Sequence, residues 1–158
     1  MAKKLLIALD KSEGAWRAVE YVATTFAQTP GIEITLLHIL TGLPPAFWDD
    51  GHILNDQEKE SRQRLVAGWQ AEQEKQWQGL VIKAKDFLKA AGLTNVHSHF
   101  LPAHFEVSED IVREAVALDA KTIVMGRRGL GAATSLLMGS ITNKVVRNSQ
   151  DGALIIVA

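Results

Sequence analysis

Between Thr122 and Arg147 the chain reads TIVMGRRGLGAATSLLMGSITNKVVR, and the groups in it suited to chemistry are glycines and hydroxyls. Gly126, Gly129 and Gly131 follow a β-branched apolar run, and Gly139-Ser140 opens a helical pattern with Thr142 in its first turn. Glycines admit an anion close to backbone N–H groups, and a helix N-terminus offers unpaired donors with a favourable dipole. The chemistry indicated is a phosphate cradle. Two common versions of it are excluded by spacing. No glycine-lysine pair exists for a Walker loop, and the third glycine of a dinucleotide fingerprint would fall on Thr134, after the fourth strand rather than the first.

The elements that must position this stretch are legible along the chain. Lys4 to Leu9 is a short apolar run of the kind buried on both faces of a parallel sheet, with Asp10-Lys11-Ser12 as its turn. Ser12 caps a helix carrying Ala15, Trp16, Val19, Val22, Ala23 and Phe26, which Thr29-Pro30-Gly31 stops. Ile32 to Leu40 is a second strand. Leu43 to Asp56, with Pro44-Pro45 and Trp48, is expected to be a long surface loop.

From Asp56 to Ala91 the spacing is helical, with Leu65, Val66, Trp69, Trp77, Leu80, Val81, Ala84, Phe87 and Leu88 as the stripe and Gly92 after it. Gly68 and Gly79 weigh against one unbroken helix. Asn95 to Leu101 alternates as a third strand, with Val96, Ser98 and Phe100 on one face. Ser108 is the expected cap of the next helix, with Glu109 and Asp110 in its first turn. Thr122 to Met125, Ser140 to Asn148 and Ala153 to Ala158 complete an alternating β and α order. That order predicts an α/β fold with a mostly parallel sheet between helices. Ligands bind such sheets at the carboxyl ends of strands where the order reverses; if the first and fourth strands are neighbours there, Asp10 and Gly126 face one crevice.

Composition narrows the class. A chain of 158 residues is expected to form one domain over 1–158. Seventeen basic against eighteen acidic residues leave a net charge of −1, so no bulk field selects nucleic acid or anionic lipid. No apolar run approaches a membrane span, and the absence of cysteine removes disulfides and thiol chemistry. A cytoplasmic location is the default expectation.

The histidines have bland readings. His97, His99 and His104 lack a suitably spaced carboxylate or cysteine within their segment, so they are not read as metal ligands. His38 sits inside an apolar strand as a core or crevice residue, and Trp69 and Trp77 as packing. No nucleophile, base and orienting acid stand at readable spacing, so no catalytic residue is assigned.

The spacing Gly126-x2-Gly129-x9-Gly139-Ser140 resembles the ATP-binding motif of the universal stress protein family, as do the LLIALDKSEGA opening and LLHIL. The resemblance spans the chain. Asp151-Gly152-Ala153 departs from it where a small residue or cysteine precedes a proline, and so does the longer lead Pro102 to Val107. It implies a Rossmann-like, adenine nucleotide alpha hydrolase-like three-layer sandwich, with a five-stranded parallel sheet ordered 3-2-1-4-5. It also implies bound ATP with Mg²⁺ or Mn²⁺ on the phosphates. By position, Ala8, Leu9 and Asp10 line the adenosine side, Asp10 accepting from ribose hydroxyls. Ile39 contacts adenine, and Met125 and Gly126 form the floor. Gly129, Gly139, Ser140, Ile141 and Thr142 hold phosphates, and Arg127 and Arg128 either add charge or face water.

A stress-response protein whose ATP occupancy tunes the order of Leu130 to Met138 and partner binding is what the resemblance implies. A homodimer through Ala153 to Ala158 goes with it, with no nucleic acid or membrane partner. Two alternatives stay open. One is an interaction module of the same fold that binds no nucleotide; the other is an enzyme, either a slow ATPase or autophosphorylating protein or a ligase related in fold. Against the ligase, this chain has LDKSEGA after the first strand, where such enzymes carry a glycine-rich phosphate loop.

Overall fold

The computed structural model of the chain describes residues 2–42, 51–127 and 138–158. Strands and helices alternate through them. In order they are β1 Lys3–Ala8, α1 Glu13–Thr25, β2 Ile32–Leu40, α2 Asp56–Ala90, β3 Val96–Pro102, α3 Val107–Ala117, β4 Thr122–Gly126, α4 Ser140–Asn148 and β5 Ala153–Val157. The strands pair in parallel in the order β3-β2-β1-β4-β5. The α/β class and the 3-2-1-4-5 order are thus both observed.

The central strands read as unbroken apolar runs because both their faces are covered. On one face Leu5, Ile7, Leu36 and Val124 pack with Val19 and Val22 of α1 and Trp77, Val81 and Leu88 of α2. On the other, Leu6, Leu37, Ile39 and Met125 meet Ile111 and Ala115 of α3 and Val145 of α4. Helix starts are chemically specified. The Ser12 hydroxyl accepts from the Ala15 N–H at 3.1 Å, and Asn55 forms a reciprocal capping box with Glu58. Gly92, at φ +85°, takes the left-handed turn that leads out of α2.

Several expectations shift. α2 is one helix of 35 residues despite Gly68 and Gly79, and its buried residues are Trp77, Val81, Ala84 and Leu88 only. Leu65 is 60% exposed, so the outer part of the expected stripe has no core beneath it. α3 starts at Val107 with Glu106 as its cap residue, and Ser108 is buried inside the first turn instead of capping it. The turn before it is held by Asp110, whose Oδ2 accepts from the N–H groups of His104 and Phe105 at 2.9 and 3.2 Å. The expected loop Leu43 to Asp56 lies partly outside the described residues, and Asp56 is already helical.

Candidate functional site

A cleft opens at the carboxyl end of the sheet above β1, β2 and β4, enclosing about 220 Å³. That is below the roughly 300–1,000 Å³ of small-molecule pockets, and the chain between Arg127 and Met138, most of it outside the described residues, borders it in sequence. Ala8, Leu9, Asp10, Ile39, Met125, Gly126, Ile141 and Thr142, all expected at the site, line this one cleft. Arg127, Gly139 and Ser140 sit beside it rather than in its lining. Gly129 and Arg128 lie outside the described residues.

Each wall follows from local chemistry. β1 ends at Ala8, and the turn after it is fixed by Asp10, whose Oδ1 accepts from the Ser12 N–H at 2.7 Å. Gly126 ends β4 against the first turn of α1. A Cβ there would lie 2.4 Å from the Gly14 carbonyl carbon, so glycine is required for helix and strand to approach. The Thr142 hydroxyl donates to the Gly126 carbonyl at 3.0 Å, and the Gly139 N–H donates to the Arg127 carbonyl at 2.9 Å. These two bonds tie the start of α4 to the end of β4.

The first intrahelical bond of α4 runs from the Asn143 N–H to the Gly139 carbonyl, and no side chain caps the helix. The N–H groups of Ser140, Ile141 and Thr142 therefore have no carbonyl within the helix to meet, and they form a donor end suited to an anion. The Thr142 proton is already committed, leaving its oxygen lone pairs.

Sequence reasoning missed Ser12, Ala15, Leu37 and Thr41 as lining residues, together with Val107 and Ile111 of α3. Val107 follows the carboxyl end of β3, so the strand-end rule already contained the signal. His38 also lines the cleft. Its Nδ1 stands 3.0 Å from the Leu9 carbonyl, to which it donates. Burial pushes its pKa below the ordinary value; the Leu9 carbonyl and Asp10 oppose that shift and Lys11 adds to it.

Two further histidines meet carboxylates from outside their own segment. His99 Nδ1 lies 2.7 Å from Glu114 Oε1, and His97 Nε2 lies 3.7 Å from Glu33 Oε1. A second, larger depression of about 570 Å³ lies at the amino ends of β4 and β5. Its charged rim is largely self-paired, Arg113 with Glu109 and Lys121 with Asp119, both at 2.8 Å. The smaller cleft is the better candidate because helix N–H groups without an intrahelical partner and a carboxylate converge on it.

A family model described as the universal stress protein family matches residues 1–156. A universal stress protein of Thermus aquaticus is 31% identical over 157 residues, covering 99% of both chains. Among solved structures, the hypothetical protein MJ0577 superposes with a TM-score of 0.76 at 22% identity, over 99% of this chain and 96% of that one. A universal stress protein in complex with cAMP gives 0.60 at 19% identity, over 99% and 97%. The Archaeoglobus fulgidus universal stress protein in complex with dAMP gives 0.57 at 20%, over 100% and 98%.

Proposed function

The chain belongs to the universal stress protein family, and from that premise we propose that it binds an adenine nucleotide, specifically ATP, in the cleft above β1 and β4. The observation that carries this reading is the convergence of Asp10 and the uncapped start of α4 on one cleft. Those groups are complementary to the two polar ends of a nucleotide: a carboxylate accepts from ribose hydroxyls, and helix N–H groups donate to phosphate. Ala8, Leu9 and Ile39 then flank the nucleoside, Met125 and Gly126 lie beneath it, and Gly129, Gly139, Ser140 and Ile141 face the phosphates. Arg127 adds positive charge beside them. Complexes of two similar proteins with cAMP and dAMP support the same ligand class.

Mg²⁺ or Mn²⁺ would be coordinated chiefly by phosphate oxygens. In this reading the protein is a cytoplasmic, single-domain stress-response regulator. Its nucleotide occupancy sets partner binding, and it forms a homodimer through the strand at Ala153 to Ala158.

The test begins with freshly purified protein, denatured and its supernatant assayed for adenine nucleotide. ATP at a hundredfold excess over Kd is then expected to stabilise the fold by about 2.7 kcal/mol, a rise in Tm of roughly 5–10 °C for a chain of this size. Asp10→Ala should lose most of that rise. No nucleotide and no shift in the wild type would overturn the reading in favour of an interaction module. Phosphate release that persists unchanged in Asp10→Ala would be contamination rather than turnover at this cleft.

A further inference from the structure

The β1–β2 ladder runs only as far as Ala8 opposite Leu37, with one further bond from the Leu9 N–H to the Leu37 carbonyl at 2.8 Å. Past that point β2 continues alongside β3, with Ile39 opposite Leu101. The Leu9 carbonyl, just past the end of β1, is therefore the first carbonyl on that side without a place in the ladder to β2. Leu9 is 2% exposed, and a carbonyl in that setting needs a donor. His38 supplies it from Nδ1 at 3.0 Å.

The donor is held rigidly. The His38 ring stacks on Phe100 with centroids 5.5 Å apart and planes at 23°, and Trp77 lies at 6.2 Å. Burial favours the neutral ring, so the Nδ1–H tautomer is the one that satisfies the carbonyl. The Leu9 carbonyl and the Asp10 N–H belong to one planar peptide group. Fixing that plane fixes the N–Cα bond of Asp10, and the bond that its Oδ1 accepts from the Ser12 N–H limits the rotations that remain to the side chain.

We propose that His38 is a positioning residue for the cleft, orienting the Asp10 carboxylate toward the vicinal hydroxyls of a ribose through the Leu9–Asp10 peptide plane. This rests on the nucleotide reading above and deepens it: it names the device that sets the sugar contact. Trp77, Phe100 and His38 form the base, the Leu9 carbonyl transmits the constraint, and the Asp10–Ser12 turn carries it to the start of α1.

Two substitutions separate the donor from the ring. His38→Phe keeps an aromatic ring for the stack and removes the donor. His38→Asn places an amide nitrogen where Nδ1 stood and removes the ring. Binding of ATP and of 2′,3′-dideoxy-ATP is measured by calorimetry beside thermal melts. His38→Phe is expected to melt near the wild type and bind ATP about tenfold more weakly, with no comparable loss for the dideoxy nucleotide. His38→Asn is expected to melt several degrees lower yet hold ATP affinity within about threefold.

Wild-type ATP affinity in His38→Phe, or losses in both variants that track Tm, would overturn the proposal. So would nitrogen NMR of the wild type showing the Nε2–H tautomer, whatever the ligand does. A wild type that binds neither nucleotide overturns the nucleotide reading and this inference with it, whereas wild-type binding with an unaffected His38→Phe overturns this inference alone.

Discussion

His38 has a measurable consequence apart from any ligand. In the unfolded chain its imidazole titrates near 6.5, whereas in the fold burial holds its pKa lower, with Lys11 adding and the Leu9 carbonyl and Asp10 partly offsetting. The Trp77 and Phe100 rings packed against it carry no charge. Between the folded and unfolded values the unfolded chain binds a proton that the native state refuses. This contribution to stability is therefore full above pH 6.5 and falls as pH drops through that value. Urea midpoints taken from about pH 7.5 to about pH 5.5 should decline more steeply in the wild type than in His38→Phe, the other histidines being common to both. Parallel declines would show that His38 carries no such linkage. At this scale the sequence exposed Asp10, Gly126 and Thr142, because strand ends and helix starts are local patterns. It did not expose what Gly126 touches, since the contact with Gly14 joins the end of β4 to the first turn of α1. Nor did it expose the acceptor of the Thr142 proton, the carbonyl of Gly126, sixteen residues away.

α2 shows what periodicity can and cannot specify. The helix spans 35 residues, about 52 Å, against roughly 30 Å for the nine-residue strand β2. Its C-terminal part lies on the sheet and buries Trp77, Val81, Ala84 and Leu88, while the part carrying Leu65 overruns it. Apolar spacing marks a face; it says nothing about whether a surface waits opposite that face. The two glycines test the division. Apart from the helix's own backbone, a Cβ at Gly68 or at Gly79 meets no atom of the described residues within 4 Å, so alanine fits at both. Gly79→Ala, in the packed part, is expected to raise global stability by about 0.5–1 kcal/mol. Gly68→Ala should leave Tm nearly unchanged and instead slow amide exchange locally around it, because the overrunning part opens without the core. Equal gains in Tm from both would mean that the whole helix unfolds as one unit with the sheet.

For the molecule as a whole, strand number, alternation and parallel pairing follow from the pattern of apolar runs, while the order β3-β2-β1-β4-β5 rested on resemblance, since no local signal says which strands are neighbours. That order leaves β3 and β5 as edges. The two differ in what they expose: β3 pairs His97 with Glu33 and His99 with Glu114, whereas β5 is the apolar run ALIIV. An apolar edge strand with open hydrogen-bonding groups is a liability that two-fold pairing removes, which is the physical case for the proposed homodimer. The ladder identifies the groups involved. The Ala153 N–H and the Val157 carbonyl both bond toward β4, through the Lys121 carbonyl and the Arg127 N–H. By strand alternation, Leu154 and Ile156 therefore direct their backbone groups to the open edge. Ile156→Pro deletes one outward N–H and leaves the β4 ladder its donors, a substitution that edge strands accept. Light scattering after gel filtration should give twice the chain mass for the wild type and close to the chain mass for Ile156→Pro. A wild-type monomer, or a variant that remains fully dimeric, would place any self-association on another surface.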